Sequence, residues 1–438
     1  MNACACCTSP AETTTIPTMS STVAPAGVLS FEQACAVVAD YGRKFPAPPH
    51  ESTALLDSLG RVLAAPVLAD RDFPPFPRST RDGYAVRASD VANLPAKLKI
   101  VGQIKAGGYF NNTVAPGEAV EIMTGASVPA GADAVVMVEH TVRTLAEGSG
   151  ESDSVQVERT VVAGENVVGA GAEAHAADLL LPIGMKITPA QIAMAAAVGA
   201  VNLSVFRQPK VAVLATGDEL VDVSQQPGPH QIRNSNTYSL AAQVTANGGI
   251  AWPLPVAPDE ERKLRTLIQA GIHGADLLLL SGGVSMGKFD LVEKVLSEMN
   301  AEFLFTGALI QPGKPIVFGD VRTGDRTVPF FGLPGNPVSV TVTFDLFVRP
   351  LLQSLCGREP TRLPALNARL KRNLKTKTGL TRFLPALVSG GLYDPEVEVI
   401  PWQGSGDLLA SARANCYLVV PPDRETIAEG ETVSVLVR

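Results

Sequence analysis

No apolar run in the sequence approaches the ~20 residues needed to cross a bilayer, and the chain does not begin with a charged segment followed by an apolar one. A membrane partner is therefore not expected, and the chain reads as cytoplasmic. Positive charge is also scarce. The 36 Lys and Arg stand against 43 Asp and Glu, for a formal charge of −7. Without a basic tract, nucleic acid is not an expected partner, and any anionic ligand must be held by local groups. Cysteine is sparse: Cys35, Cys356 and Cys416 stand singly in apolar surroundings, which suits reduced, buried thiols rather than disulfides. Cys4, Cys6 and Cys7 crowd together, but no distant His or Cys pair completes a tetrahedral metal set. Given the Pro, Ser and Thr that follow, residues 1–27 read as a disordered tail, with capture of a soft metal as the alternative.

Turn formers and apolar residues are abundant instead. With 39 Gly, 34 Pro and 46% apolar residues, the chain supports two to four cores joined by many turns. Ser30 and Gln33 have capping-box spacing ahead of a helix that Gly42 is positioned to end. After an apolar segment at Leu55, Leu56 and Leu59, the stretch from Asp72 to Pro77 holds three prolines and marks a domain junction. From Lys97 to about Val162, short β-branched runs separated by turns predict a small β-rich domain, with Glu147 to Ser154 as a solvated hairpin or loop. Thr188, Pro189 and Gln191 open a further helix that ends near Gly199.

Beyond Pro209, apolar strands at Val211 to Ala215 and Leu277 to Leu280 alternate with helices near Thr237 to Ala246 and from about Asp259. This pattern predicts a mostly parallel sheet covered on both faces, which binds ligands at the carboxyl ends of its strands. From about Pro360 to Arg438, short runs such as Tyr417 to Val420 and Thr432 to Val437 suggest a small β-barrel or sandwich. The expected fold is thus α/β plus β-rich: a multidomain, elongated chain with an N-terminal β-rich domain, a central α/β domain and a C-terminal barrel.

Three polar loops follow strands of the central domain: Thr216-Gly217-Asp218-Glu219, Ser281-Gly282-Gly283-Val284-Ser285, and Gly332-Leu333-Pro334-Gly335-Asn336-Pro337. Each places glycines and hydroxyls where free backbone amides would cradle an oxyanion, and three in one sheet point to a phosphate-bearing ligand. Glu219 and Asp290 put carboxylates near that anion, which implies an intervening divalent cation, Mg²⁺ being the usual one. The alternative makes both carboxylates N-terminal helix charges. Lys314, between Pro312-Gly313 and Pro315, is an anchored point charge for an oxyanion or else a plain turn lysine. Arg382 and Ser405 offer further donors. Val338, Val340, Val342 and Phe344 alternate as in a strand, yet Asn336 and Pro337 make an N-cap and first-turn pair, so a helix whose N-terminal amides face the ligand is expected. Unaided, the residues reach an α/β binder of a phosphorylated small molecule.

Taken in order, certain segments resemble the molybdopterin molybdenumtransferase family: Ser79 to Val86, Ile122 to Ala126, Thr216 to Leu220, Ser281 to Ser285, Pro312 to Pro315 and Leu333 to Ser339. The resemblance runs from about Gly27 to Arg438. It implies a dimerisation and linker unit over 28–73 and 166–207, a β-rich inserted domain over 74–165, a molybdopterin-binding α/β domain over 208–358, and a barrel over 359–438. It also implies a homodimer whose ligand cleft lies between the α/β domain and the β-rich domain of the other subunit. The implied reaction inserts molybdate into adenylylated molybdopterin with release of AMP, in the presence of Mg²⁺. A molybdopterin-adenylylating protein would act upstream and molybdoenzyme maturation factors downstream.

Carried over residue by residue, Asp82 and Thr124 match polar groups that reach the cleft from the partner. Glu219, Asp259 and Asp290 match its acidic positions, with Asp290 first in line to assist adenylate hydrolysis and, with Glu219, to hold Mg²⁺. Lys314, Ser339, Arg382 and Ser405 resemble the set suited to molybdate. The expected catalytic group is Asp290, Glu219, Asp82 and Lys314. Thr216, Gly217, Asp218, Ser281, Gly282, Gly283, Ser285, Pro315, Gly335, Asn336 and Pro337 complete the binding set. Val168 to Glu173 and Thr306 to Gln311 lack basic residues that many or some family members carry there. A tungstate-inserting homologue and a non-catalytic molybdopterin-binding scaffold remain alternatives.

Overall fold

A computed structural model of the chain describes residues 27–146, 152–283, 291–391 and 393–438. The cysteine-rich tail up to residue 26 and the tip of the 147–151 loop lie outside the described residues. Four units follow from which strands pair.

The β-rich unit is one six-stranded sheet running from Gly83–Val86 to Ser154–Val157. Its alternating strands bury Tyr84, Val86, Leu98 and Val155 on one face and Ala85, Ile104, Val120 and Ile122 on the other, so it carries a core on each side. A linker unit flanks it. There His50–Ala54 pairs antiparallel with Asn202–Phe206, and Val67–Leu68 with Leu179–Leu181, around Leu63, Leu181, Ile187 and Val205. The Thr188 box forms as expected, with the Thr188 N–H donating to Gln191 Oε1 at 3.1 Å ahead of the helix Pro189–Ala197.

The central sheet has six strands. Ile250–Pro253, Lys210–Ala215, Leu277–Ser281 and Arg326–Leu333 run parallel, and Val317–Thr323 and Glu302–Phe305 extend the sheet antiparallel. Every residue of Leu277–Ser281 is buried, as a strand covered on both faces requires. The helix Phe31–Lys44, which precedes the linker strands in sequence, packs here: Ala34 and Val38 join the core that includes Phe331, Phe347 and Leu351. Ser30 caps it through the expected box, accepting from the Gln33 N–H at 3.2 Å. Gly42 does not end this helix, which runs on to Lys44. It is a packing residue instead, since a Cβ there would lie 2.5 Å from Ser354 Oγ.

The segment Pro337–Thr343 is helical, as Pro337 in the first turn favours, despite its strand-like alternation. The alternation fails as a guide because all six residues from Val338 to Thr343 are buried, polar and apolar alike. In the C-terminal unit, Ala365–Leu370, Thr381–Gly391, Asp394–Val399, Cys416–Val420 and Thr432–Val437 close into a barrel through the pairing of Thr381–Gly391 with Cys416–Val420.

Candidate functional site in the central cleft

The parallel strands end level with one another. Ala215 pairs with Ser281 and Ser281 with Leu333, so the three polar loops leave the sheet side by side. Between them opens a cleft of about 690 Å³, a size that suits a cofactor-like ligand. Thr216, Glu219, Ser281, Gly282, Gly335, Asn336 and Pro337 all line it, and the C-terminal unit adds Gly406 and Leu408. The expected convergence of the three loops is present.

Glycine is needed at the bottom of the cleft. Gly282 has φ +89°, and a Cβ there would lie 2.6 Å from the Thr216 carbonyl oxygen. Gly217 has φ +146°, and a Cβ would meet the Glu219 carboxylate at 2.4 Å, so that side chain folds back over the loop. Not every loop amide is free for an anion. Thr216 N–H donates to Ser281 O, Gly217 N–H to Ala257 O and Gly282 N–H to Leu333 O, at 3.1, 3.2 and 3.2 Å. The amides of Asp218, Glu219, Gly335 and Asn336 have no protein acceptor among the described residues, and these remain available to a ligand. Asp218 and Asp259 brace the first loop, with Thr216 Oγ1 donating to Asp259 Oδ1 and Asp259 N–H to Asp218 Oδ1, both at 3.1 Å.

Asn236 ties the loops together, and sequence reasoning missed it. Its Nδ2 donates to Ser281 Oγ at 2.9 Å and to Gly335 O at 2.7 Å, while its Oδ1 is buried with no partner among the described residues. It sits in the first turn of the helix Ser235–Ala246, whose cap Asn234 accepts from the Thr237 N–H at 3.2 Å. The available signal was two asparagines, Asn234 and Asn236, opening a helix. Arg233 also lines the cleft and was likewise overlooked.

Asn336 occupies the N-cap position, but its side chain does not cap the helix. Its Nδ2 donates to Ser405 Oγ at 2.9 Å, and Ser405 O accepts the Val338 N–H at 3.0 Å. Ser405 thus caps the helix from the C-terminal unit, and one amide expected to face a ligand is already used.

Lys314, Pro315, Ser339 and Arg382 do not line this cleft. They gather around the Pro312 loop. Gly313 has φ +107° and packs against Thr343, since a Cβ there would approach Thr343 Cγ2 to 2.4 Å and Ser339 O to 3.8 Å. On the other side, Ile310–Gln311 pairs parallel with the barrel strand, matching Gln311 to Arg382. Arg382 is only 7% exposed, and burial lowers the pKa of its guanidinium. Its NH1 donates to Leu380 O at 3.1 Å, and it has no carboxylate partner among the described residues. Asp82 and Thr124 meet on the β-rich unit, where Asp82 Oδ1 accepts from the Thr124 amide at 2.6 Å and from its hydroxyl at 2.7 Å. Those bonds hold the Asp82 carboxyl below the usual carboxylate range. Ser285 and Asp290 lie outside the described residues, and Gly283 is the last described residue of its loop.

Family models match along most of the chain: MoeA N-terminal region (domain I and II) over residues 29–199, a probable molybdopterin binding domain over 212–354, and MoeA C-terminal region (domain IV) over 367–437. The molybdopterin molybdenumtransferase of Bacillus subtilis is 35% identical over 393 residues, covering 88% of this chain and 89% of that one. The chain belongs to the molybdopterin molybdenumtransferase family. The Nostoc molybdopterin molybdenumtransferase is 36% identical over 386 residues, with 86% of each chain covered. The crystal structure of the molybdopterin biosynthesis MoeA protein from Pyrococcus horikoshii OT3 matches with a TM-score of 0.76 at 27% identity, covering 94% of this chain and 100% of that one. Within this molybdopterin molybdenumtransferase fold, the cleft lies in the part matched by the molybdopterin binding model and is walled by the C-terminal region. No described helix is long and apolar enough to cross a membrane.

Proposed function

We propose that the chain inserts molybdenum from molybdate into adenylylated molybdopterin and releases AMP. The observation that carries this reading is the side-by-side exit of three glycine and hydroxyl loops into one cleft in a chain of this family. The free amides of Asp218, Glu219, Gly335 and Asn336 are suited to phosphate oxygens. Asn236 holds two of the loops in register, so the anhydride is oriented before it reacts. Lys314 and Arg382, on adjoining segments, supply positive charge for the tetrahedral oxyanion, with the buried Ser339 beside them. Holding molybdate there replaces an encounter of two dilute anions with a local reaction, for which effective concentrations reach ~10⁵ M. Cleavage of the adenylate drives the insertion forward.

Among the described residues no group of three or more His, Cys, Asp or Glu is placed to hold a metal by itself. Glu219 does place a carboxylate on the cleft wall, and such a site fits Mg²⁺, which takes one or two carboxylates and completes its shell with water and substrate phosphates. Glu219, together with Asp290, would hold it, and the ion would offset the charge of the anhydride. As the partner-completed cleft of this reading, a homodimer would bring Asp82 and Thr124 of the partner subunit to the ligand. Supporting it, large apolar side chains stand exposed on the linker unit: Leu56 at 78%, Val201 at 76%, Leu179 at 58% and Ile183 at 56%. The substrate would come from an adenylylating protein, and the product would pass to maturation factors for molybdoenzymes.

The test is to combine the purified protein with adenylylated molybdopterin, Mg²⁺ and molybdate and to quantify AMP. Release is expected with the wild type, with loss in Asp290→Asn; molybdenum incorporation is expected to fall in Lys314→Ala. Unchanged AMP release in Asp290→Asn would remove the role given to Asp290, and no release from the wild type would remove the proposed activity.

A further inference from the structure

The cleft lies at the carboxyl ends of the parallel strands. At their amino ends, a separate open cavity of about 150 Å³ lies between the linker unit and the α/β domain. Arg207 and Gln208, just before the strand Lys210–Ala215, and Asn247 and Gly248, just before Ile250–Pro253, form one side. The wall carries Arg61, Lys186, Arg207 and Arg358 and no carboxylate. Cys356 adds no negative charge, because burial pushes its thiol up to about 12 against the lowering effect of Arg358, Arg61 and Lys186.

The positive charge is not fully balanced by the protein. Arg61 pairs with Glu51, and Arg207 with Asp276 at 3.0 Å, but Lys186 and Arg358 have no carboxylate partner among the described residues. Two helices end here, at the caps Asn247 and Cys356, and each helix end presents roughly half a negative charge. Together these ends offset about one of the two unpaired cations and leave about one positive charge in excess. Arg61 donates through NH2 to Phe206 O at 2.9 Å, but its Nε is buried with no hydrogen-bond partner among the described residues and is left for an added acceptor.

We propose that this cavity binds a tetrahedral oxyanion of the phosphate and sulfate class and thereby ties the linker unit to the α/β domain. Size supports the assignment. The space holds one tetrahedral anion within reach of cations on both sides. The cations come from both units, so the anion bridges them: Arg61 and Lys186 from the linker unit, Arg358 from the end of the α/β domain. The site is independent of the cleft and of the activity assigned to it.

Titration calorimetry with inorganic phosphate at low ionic strength tests the proposal, with sulfate and molybdate as parallel arms. Saturable binding that weakens with added NaCl is expected. Phosphate and sulfate should compete for one site, separate from the Lys314 and Arg382 group proposed to hold molybdate for insertion. The double variant K186Q/R358Q, confirmed as folded by its thermal melt, should weaken phosphate at least about tenfold, whereas K186R/R358K should retain it. Lys314→Ala should leave this binding intact. Equal phosphate affinity in K186Q/R358Q and wild type overturns the proposal. So does loss of all phosphate binding in Lys314→Ala, which would place the anion at the Pro312 loop, or absence of binding at millimolar phosphate.

Discussion

Replacing Asn236 tests whether the loops at Ser281 and Gly335 act as one unit. Its side chain makes two donor bonds across the cleft floor, to Ser281 Oγ and Gly335 O. At a net ~0.5–1.5 kcal/mol each, the pair is worth about 1–3 kcal/mol. Two features move the stability loss toward the lower end. Gly335 is exposed, so its carbonyl regains water, and truncation also removes the buried Oδ1 that has no partner. For Asn236→Ala we therefore expect a loss of ~1–2 kcal/mol in urea denaturation. The effect on activity should be larger, because a misplacement of about 1 Å costs up to ~100-fold in rate when orientation limits the reaction. Asn236→Asp is more severe still, since it sets a carboxylate oxygen against the Gly335 carbonyl, where the wild type has a donor at 2.7 Å. The assay is kcat/KM for AMP release measured beside the denaturation midpoint. If Asn236→Asp turns over like the wild type, the loops do not depend on this residue and the reasoning fails.

Gly282→Ala forces a side chain into a backbone of φ +89° and to within 2.6 Å of the Thr216 carbonyl; a loss of at least about 2 kcal/mol is expected by chemical denaturation. Ser405→Ala removes the acceptor for Asn336 Nδ2 while keeping the carbonyl cap on Val338, so stability should fall by only ~1 kcal/mol and substrate KM should rise. Thr124→Val deletes the hydroxyl that helps hold the Asp82 pKa low, and a carboxyl-detected NMR titration should show that pKa rising toward the ordinary value. Because the folded pKa lies below the unfolded one, the Asp82 contribution to stability is present above the unfolded value and disappears as pH falls through the folded value. In Thr124→Val that disappearance should occur at higher pH. Paired charge substitutions at Leu56 and Val201, exposed on the linker unit, should shift a dimer toward monomer in analytical ultracentrifugation.

The parts of the site that could be read from the sequence are those set by local rules. Leu277–Ser281 is apolar throughout because both faces of a parallel strand are covered, and polar loops follow such strands because their carboxyl ends meet solvent. Ser30 with Gln33, and Thr188 with Gln191, form their boxes because the partners lie within one helical turn. The glycines at 217 and 282 were visible for the same reason: their backbone conformations admit few other residues.

Tertiary structure decided everything that depends on residues far apart in the chain. The Ser405 carbonyl takes the Val338 amide that Asn336 was expected to serve, and no local spacing announces a cap 67 residues away. Asn236 becomes the bridge between two loops only once the strands stand in register. The helix Phe31–Lys44 joins the α/β core instead of its sequence neighbours because that is where a matching apolar surface lies. Lys314 is set apart from the cleft by the packing of its loop between Thr343 and the barrel strand, and the cationic cavity gathers Arg61, Lys186, Arg207 and Arg358 from separate segments. A sequence pattern records what each residue favours among its near neighbours, whereas long-range contacts form only when sheets and domains close, and they carry no period to read beforehand.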